Sequence, residues 1–338
     1  MWIKSKKYFP TLMLLILISH LVIGQEDKIN TTQLEFMFYN VENLFDCEND
    51  SLTKDDEFTV FGARKWNNYK LDKKIKMLSR AILASNDWKP PAVIALCEIE
   101  NKKVLELLIK ESLLKAYNYG IIHKDSKDLR GIDVAVIYDT LRIQAEFIKY
   151  YSINLSGRPS RDILYTKFIY REDSFHLLVN HWPSRYSGTL QSESSRLLAC
   201  MKLKSVCDSV FTGNDMAKLI IMGDFNDNPN DKSLTELCDM SKSSGERFLF
   251  NLMRDTKQGT HKFHGIWNIF DQIIISKVLL DSLESDLIVR SSVSQVKFLF
   301  ESDEKYLGVK PFRTFRGFKY NGGYSDHLPI LLTLRSLK

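Results

Sequence analysis

The segment LIIMGDFNDNPND, residues 219–231, joins an apolar run to carboxylate and amide side chains that could do chemistry. Residues 219–222 have the composition of a buried strand, and Gly223 ends it. Asp224 and Asn226 stand directly at the exit. One interpretation is a turn, since Gly, Asn, Asp and Pro are the commonest turn residues. The other is the edge of an active site, where carboxylates and amides meet a metal ion or a phosphate.

Five further apolar segments carry Asn, Glu, His or Asp at one tip. A cap or a turn explains any one of them, but six together predict a single site at one edge of a rigid sheet, where loops assemble functional residues. The tips are Asn40 after 34–40, Glu98 after 92–97, His181 after 175–180, Asp271 near the start of 270–275, and Asp326 with His327 before 328–334.

Oxygen ligands without a cysteine suit a hard cation, and Mg²⁺ commonly takes one or two carboxylates plus a substrate phosphate. Mn²⁺ and Ca²⁺ are equally compatible with these residue types. The two histidines leave zinc as an alternative. However, His181 and His327 lack the spacing of a helical HExxH site, which favours acid–base or phosphate-contact roles. Carboxylates, a metal ion, amide donors and histidines together indicate hydrolysis of phosphoesters.

The elements that must position these residues alternate between strands and helices. This order predicts an α/β protein with helices packed outside sheets. A seventh strand is predicted at 132–138, and helices are predicted at 68–85, 102–115 and 191–211 from their apolar periodicity.

The first 24 residues have the order of a secretory signal: three lysines, an apolar run and then Gly24. The apolar run of roughly 12 residues is too short to span a bilayer as a helix. We therefore expect a secreted or periplasmic protein without stable membrane insertion, in which residues 25–338 form a single domain and a monomer.

Charge and cysteines restrict the function classes further. The formal net charge is +5, and removal of three lysines with residues 1–24 leaves +2, which is too weak for a strongly cationic nucleic-acid binder. The basic runs RPSR and KPFRTFRGFKY are predicted to be solvated faces. The five cysteines follow no metal-binding spacing, and Cys97 is predicted to be a buried apolar residue. Export would permit some disulfides, but the odd count leaves at least one thiol unpaired.

The ordered motifs FMFYNVENLFD, VIALCEIEN, VNHWPSR, IIMGDFNDNP, FDQIIIS and YSDHLPI resemble the endonuclease/exonuclease/phosphatase superfamily across residues 34 to 336. That group includes DNase I-like nucleases, abasic-site endonucleases, inositol-polyphosphate phosphatases and bacterial sphingomyelinases. The resemblance implies a four-layer α/β/β/α sandwich of two mixed β-sheets packed face to face, with the active site at one sheet edge.

The resemblance also implies a metal side of the site. Asn40 and Glu98 resemble the metal-proximal pair, and Glu98 is the expected direct ligand. Asn40 is expected to contact substrate as well. Asp326 resembles a further metal-side carboxylate.

On the catalytic side, Asp224 and Asn226 resemble the pair that positions the attacking water and contacts the phosphate. His327 resembles the essential histidine, and Asp271 resembles the carboxylate that orients it. His181 resembles the second histidine of the DNase I and sphingomyelinase branches, which argues against close kinship with abasic-site endonucleases. The next residues, 227 and 228, are expected to be turn residues only.

Several other residues have open assignments. Asp133 either orients His181 or caps a strand as a turn carboxylate. Arg130, Arg185 and Arg196 could contact substrate phosphates or form exposed salt bridges, and Arg185, four residues after the histidine, is the strongest candidate. Trp182, next to that histidine, is predicted to be a packing residue.

The sequence therefore predicts a secreted, metal-dependent phosphodiester hydrolase, with an endonuclease of DNA or RNA favoured. The alternative is a phosphatase or phospholipase C acting on sphingomyelin, inositol phosphates or another small phosphoester. A binding protein that keeps the fold without catalysis is a third hypothesis, disfavoured because Glu98, Asp224 and His327 are all present. The last two are expected in solvent-facing loops, so that their replacement by alanine would abolish hydrolysis without loss of fold.

Overall fold

The computed structural model describes residues 33–155, 157–186, 188–242, 248–281 and 287–336. The predicted signal segment, residues 1–24, lies outside these ranges. Within them, no helix combines the length and apolar character needed to cross a bilayer.

Twenty strands and five α-helices are described in this part of the chain. The strands are β1 Gln33–Leu44, β2 Val93–Ile99, β3 Tyr119–His123, β4 Asp133–Asp139, β5 Gln144–Tyr151, β6 Asn154–Leu155, β7 Arg158–Pro159, β8 Ile163–Tyr170, β9 Asp173–His181, β10 Lys218–Asp224, β11 Leu249–Asn251, β12 His261–Phe263, β13 Ile266–Asn268, β14 Asp271–Ser276, β15 Leu287–Val293, β16 Phe300–Ser302, β17 Val309–Pro311, β18 Phe315–Arg316, β19 Lys319–Tyr320 and β20 Ile330–Ser336. The helices are α1 Asn68–Ala84, α2 Lys102–Lys110, α3 Thr189–Gly213, α4 Lys232–Lys242 and α5 Lys277–Leu280, with short 3₁₀ turns at Asp56–Phe58, Leu113–Ala116 and Lys297–Leu299.

Two six-stranded sheets form the centre of the fold. The first has the order β15-β20-β1-β2-β4-β3, and the second has the order β11-β14-β10-β9-β8-β5. Each is mixed, because β1 runs parallel to β2 and β9 runs parallel to β10, while the other neighbours are antiparallel. The sheets pack face to face, as the ring centroids of Phe36 on β1 and Phe175 on β9 show by lying 6.0 Å apart. The predicted pair of mixed sheets is confirmed.

Strand β10 shows why its sequence is apolar at successive positions. Its side chains alternate between two cores. Ile220 and Met222 point into the core between the sheets. That core belongs to a contiguous apolar cluster that also includes residues of α1 and α2, which cover the outer face of the first sheet. Leu219 and Ile221 instead face α3. A strand buried on both faces has no polar alternation, and the helices complete the outer layers of the sandwich.

All seven predicted strands and all three predicted helices are present, with bounds shifted by a few residues. The predicted helix 102–115 is shorter than expected: α2 ends at Lys110, and a 3₁₀ turn capped by Ser112 follows. Cys47, Cys97, Cys200 and Cys207 are free thiols, and Cys97 is buried as predicted.

The topology places the chemical residues at one edge. Because β1 and β2 are parallel, they end on the same side, and the same holds for β9 and β10. Strand β14 is antiparallel to β10 and therefore begins where β10 ends, with Asp271 opposite Asp224. The sequence-predicted tips of these five strands consequently meet at neighbouring sheet ends.

Gly223 lies next to this edge, where β10 and β9 are closest. A Cβ at this position would lie 2.4 Å from the carbonyl oxygen of Asn180 and 2.8 Å from its Cβ. Backbone atoms must move to relieve such an overlap. Glycine is therefore required here by packing between neighbouring strands.

We expect Gly223→Ala to lower the free energy of unfolding by about 1–3 kcal/mol, the usual cost of overpacking a core. Urea denaturation measures this change. Gly213→Ala is the matched control, because Gly213 is the exposed last residue of α3 and its Cβ would meet nothing within 4 Å. Alanine there should be neutral or stabilising. Equal midpoints for the two variants would contradict the packing argument.

Candidate active site

The amide of Asn40 connects the two sheets at the edge where the predicted residues meet. Its Nδ2 donates to Asp224 Oδ2 at 3.0 Å and to Glu98 Oε1 at 3.3 Å. Its Oδ1 accepts from the Glu42 backbone amide at 3.0 Å, which fixes the orientation of the side chain. Because Asn40 is fully buried, these contacts are made away from water. One neutral side chain thus holds two carboxylates in register.

The backbone around Glu98 is strained so that its carboxylate faces the site. Glu98 has φ +63°, and Glu42 and Asn43 at the end of β1 have φ +51° and +55°. Non-glycine residues rarely adopt this region, and its cost is tolerated where function needs the geometry. The amide of Asn43 donates to Glu98 Oε2 at 2.8 Å. The carboxylate is therefore held at both oxygens.

His327 is held by Asp271 and points toward Asp224. Its Nδ1 lies 2.8 Å from Asp271 Oδ2, and its Nε2 lies 3.7 Å from Asp224 Oδ2. Burial alone would lower the pKa of His327, but the charges of Asp271 and Asp224 outweigh it and raise the pKa well above its usual value. The imidazole is accordingly protonated at neutral pH. The predicted pairing of His327 with Asp271 is present in the structure.

Asp224 is a deeply buried carboxylate that faces both His327 and His181. Its pKa is raised to about 7, chiefly by burial; the charge of His327 acts in the opposite direction, and the charge of Asp271 adds to the increase. Its Oδ1 accepts from the Asn226 backbone amide at 2.9 Å. A carboxyl group that titrates near neutral pH can accept a proton from water and release it again.

His181 completes the cluster from β9. Its Nε2 lies 3.8 Å from Asp224 Oδ2 and 4.0 Å from Glu98 Oε1. Burial, followed by the charges of Arg161 and Arg130, lowers its pKa well below the usual value, so the ring is neutral. Its Nδ1 has no hydrogen-bond partner within the described ranges.

Asp133 does not fix the His181 ring. Its Oδ2 accepts from the backbone amide of Ser126 at 3.1 Å. Of the two assignments that the sequence left open, the structure agrees with the turn carboxylate.

Arg161 is a site residue that the sequence did not reveal. It belongs to the RPSR run, which was expected to be a solvated face, yet it is buried. Its Nη2 donates to the carbonyl of Trp182 at 2.9 Å, and the Asn226 side chain donates to the same oxygen at 3.2 Å. Trp182 is itself fully buried and packs on Phe225, as a packing residue should.

Arg185 is not brought into the carboxylate cluster. Its Nε donates to the backbone carbonyl of Asn226 at 2.6 Å, its Nη2 donates to Asp227 Oδ1 at 2.7 Å, and it also pairs with Asp231. These contacts brace the GDFN turn from outside. A substrate contact for Arg185 stays a prediction.

Asp227 is more than the turn residue that the sequence suggested. It is buried and pairs with the buried Arg196 as well as with Arg185. The Ser233 hydroxyl also donates to it, at 2.6 Å. Arg196 is thus neither an exposed salt bridge nor accessible to a substrate phosphate.

Asp326 lies in a second charged group beside the first. Arg313 Nη2 donates to Asp326 Oδ2 at 2.9 Å, and Arg313 Nε contacts Glu42 Oε1 at 3.3 Å. Burial opposes ionisation of Asp326, but Arg313 outweighs it and holds the pKa of that carboxyl well below its usual range. Arg313 belongs to the run KPFRTFRGFKY, which was expected to be a solvated face. Lys74 of α1, also buried, donates to the Tyr324 carbonyl at 2.6 Å.

These residues fit a divalent cation by the chemistry of their donors. The carboxylates of Glu98 and Asp326 lie at an edge crowded with further buried acids, and burial keeps the pKa of Asp224 near 7. A cation would offset that excess of negative charge, and oxygen donors suit Mg²⁺. Asp224, Asp271 and His327 could also offer three ligand atoms within 4.8 Å. However, the short contact of His327 Nδ1 with Asp271 makes these residues a hydrogen-bonded relay.

Two features of the site correct or extend the sequence analysis. Asp224 is at the end of β10 and His327 lies in an isolated bridge with His261 shortly before β20; the two are 2% and 7% exposed, so neither faces solvent. Thr260 was not foreseen: its hydroxyl accepts from the backbone amides of Phe270 and Asp271 at 3.1 and 3.2 Å. Its carbonyl accepts from the Leu328 amide at 2.8 Å, so Thr260 links the start of β14, which carries Asp271, to the segment that carries His327.

Comparison with known proteins identifies the family. The sequence model of the Endonuclease/Exonuclease/phosphatase family matches residues 35–336. The chain belongs to this family. Its members are phosphoester hydrolases and commonly use divalent metals. The resemblance seen in the motifs is thereby confirmed. No curated protein matches the chain by sequence.

Solved structures show the same fold at low sequence identity. An endonuclease/exonuclease/phosphatase family protein from Bacteroides thetaiotaomicron has a TM-score of 0.58 and 15% identity, and the match covers 91% of this chain and 100% of that one. A mannosyl-6-phosphatase from the same species has a TM-score of 0.55 and 15% identity, with 89% and 99% covered. TDP2 from D. rerio, complexed with single-strand DNA product, has a TM-score of 0.54 and 15% identity, with 90% and 99% covered.

The buried charge of Asp224 predicts a pH-dependent stability. Its folded pKa, about 7, exceeds the unfolded value of roughly 3.9, so the folded state binds the extra proton between these values and loses stability as pH rises. In EDTA, the unfolding free energy of Asp224→Asn relative to the wild type should therefore increase from pH 4 to pH 8. Urea denaturation across this range measures it.

Asp255→Asn is the control for this measurement, because Asp255 is exposed. Its difference from the wild type should stay flat with pH. An equally flat difference for Asp224→Asn would show that burial does not disfavour the Asp224 charge.

Proposed function

We propose that this chain is a divalent-metal-dependent phosphoester hydrolase that cleaves by in-line attack of water. One observation carries the proposal. On one side, Asp224 accepts a hydrogen bond from Asn40, which also donates to Glu98; on the other side, Asp224 faces the His327–Asp271 pair. A proton acceptor, a charged donor and a metal-type carboxylate thus meet at a single edge.

Each side chain of the candidate site has a distinct role in this proposal. Asp224, with a pKa near neutral pH, takes a proton from the attacking water. His327, protonated and held by Asp271, donates to a phosphoryl oxygen as negative charge develops there. His181 is neutral and supplies a second donor. Asn226 is placed beside Asp224 to contact the phosphate.

Glu98 and Asp326, with Asn40 beside them, would hold the cation, for which we propose Mg²⁺ with Mn²⁺ or Ca²⁺ as alternatives. When bound, the cation would neutralise charge on the phosphate. In the structure the Asn40 oxygen accepts from Glu42, so Asn40 orients the two carboxylates whether or not it also binds metal or substrate.

For the substrate we favour a phosphodiester of DNA or RNA. The relative complexed with single-strand DNA product shares this fold, which supports the class although not the specificity. Arg130 and Arg313 lie beside the site with 49% and 39% of their side chains exposed, so both leave donors accessible to a polyanion, although Arg313 also pairs with Asp326 and Glu42. Positive groups at a cleft also concentrate an anionic substrate there.

A small phosphoester is the second candidate, and a specific observation favours it. A cavity of about 1050 Å³ lies on the His181 side of the site, lined by Arg130, Ser184 and Tyr186 among others. Its size suits a compact ligand, since small-molecule sites span roughly 300–1,000 Å³. The mannosyl-6-phosphatase of this fold is a precedent for such a substrate. Sphingomyelin and inositol phosphates belong to this second class.

The function can be tested with plasmid DNA, RNA, sphingomyelin, inositol phosphates and bis-p-nitrophenyl phosphate, each with Mg²⁺ and with EDTA. We expect turnover that EDTA removes. Asp224→Asn and His327→Gln should lower kcat by about 10²–10⁴-fold, the range for lost acid–base groups.

The exposed residues Asp255 and His264 provide the matched controls Asp255→Asn and His264→Gln, which should keep full activity. Circular dichroism confirms folding of every variant. Turnover that persists in EDTA, or that survives loss of Asp224 and His327, would remove the proposed mechanism.

We further propose secretion through the signal at residues 1–24, with residues 25–338 as a single-domain monomer. The lysines, apolar run and Gly24 support it. Expression of the full chain in a secreting host should give an extracellular or periplasmic protein whose first residue is Gln25. Size-exclusion chromatography with light scattering should give the monomer mass. A cell-retained protein that keeps Met1 would contradict this prediction.

A further inference from the structure

A histidine and two aspartates form a separate cluster at the base of the loop that joins β3 to β4. His123 is the last residue of β3 and pairs with Ala135 of β4. Continuing this antiparallel register by two residues places Asp125 opposite Asp133. Residues two apart share a face of a strand, as do residues directly opposite each other. The pairing therefore puts His123, Asp125 and Asp133 on one face.

The three side chains can offer one ligand atom each within 4.8 Å of one another. His123 Nδ1 lies 3.8 Å from Asp125 Oδ1, and the side chains of His123 and Asp125 are 2% and 79% exposed. Asp133 is 3% exposed. The cluster is therefore buried on two sides and open to solvent on the third, which provides an entry path for an ion.

Two buried polar atoms of this cluster lack hydrogen-bond partners among the described residues: His123 Nε2 and Asp133 Oδ1. The other oxygen of Asp133 is already used by the Ser126 amide. Buried polar atoms are nearly always paired, so unpaired ones indicate a missing ligand. The unpaired Asp133 Oδ1, close to the His123 ring and the Asp125 carboxylate, calls for a cation.

We propose that His123, Asp125 and Asp133 bind a divalent transition-metal ion of the zinc class. Imidazole suits Zn²⁺, Co²⁺ and Ni²⁺, whereas Mg²⁺ and Ca²⁺ prefer sites built from oxygen alone. Three protein ligands leave further positions for water. The ion at this site therefore differs in class from the hard cation proposed at Glu98.

This ion would hold together the two ends of the loop, residues 124–132. The loop carries Asp128, whose Oδ2 accepts from Arg161 Nη1 at 3.2 Å. Arg161 in turn donates to the carbonyl of Trp182, next to His181. The proposed ion is thus a positioning element for the wall of the active site, and it takes no part in the reaction.

Zinc binding tests the proposal independently of hydrolysis. The protein is first stripped with EDTA, and Glu98→Gln in excess Mg²⁺ is used to weaken Zn²⁺ uptake at the active site; any Zn²⁺ held there by Asp224, Asp271 and His327 would persist when the His123 cluster is mutated. Isothermal titration with Zn²⁺ should give one equivalent. Co²⁺ in its place should give visible absorption bands. When His123→Gln or Asp133→Asn is introduced into the Glu98→Gln variant, Zn²⁺ binding should weaken by more than the roughly 10–100-fold that loss of a supporting contact costs.

Asp125→Asn provides a variant that cannot disturb packing, because this side chain is mostly exposed, and it should also weaken Zn²⁺ binding. His264→Gln removes an exposed histidine elsewhere and should change nothing. The proposal is overturned if Glu98→Gln binds no Zn²⁺, or if one equivalent of Zn²⁺ still binds with unchanged affinity after Asp125→Asn and after His123→Gln.

Discussion

The site depends on keeping several carboxylates buried close together. Glu42, Asp224 and Asp271 are buried at one sheet edge, with the partly exposed Glu98 and Asp326 beside them, and burying a charge without a partner is costly. Each carboxylate receives its own donor: Asn40, backbone amides, Arg313 or His327. The compensation at Asp224 is incomplete, because its pKa stays near 7. That remaining imbalance is what gives Asp224 its proposed ability to take a proton, and it is also what would favour a bound cation.

The rigid, buried strands of the sandwich offset the free-energy cost of this arrangement. The strained backbone at Glu42, Asn43, Glu98 and Asn226 lies at or just beyond strand ends, where the register of β1 and β2 also shifts, whereas the preceding parts of these strands are buried. Thr260 and Trp182 illustrate the supporting layer: the Thr260 hydroxyl accepts from backbone amides at the start of β14, and the Trp182 backbone amide donates to the carbonyl of Asp224 at the end of β10. The precision of the site thus derives from strand register, with loops contributing side chains such as Arg161 and Arg313.

Much of the fold was predictable because apolar runs and their polar tips are local signals. Strand β10 was recognisable from LIIM, and Asp224 from its position after Gly223. Strand β5 was not, since QAEFIKYY is mostly exposed and has no clear alternation. Arg161 and Asp227 were misjudged for a different reason: a charged residue shows burial only through distant partners, here Trp182 and Arg196. Pairings of this kind depend on tertiary contacts that a sequence pattern does not contain.

The first sheet pairs β1, made early, with β20, made last, so the site can be completed only when synthesis of the chain is nearly finished. Asn40 is made early, whereas His327 precedes the last described strand, some 287 positions later. Ribosomes add about 5–20 residues per second, so roughly 15–60 s separate the two. A nascent chain lacks His327 until the end of this interval, so the proposed site cannot be complete before then. The order of the strands alone therefore delays assembly of the site until nearly the whole chain has been made.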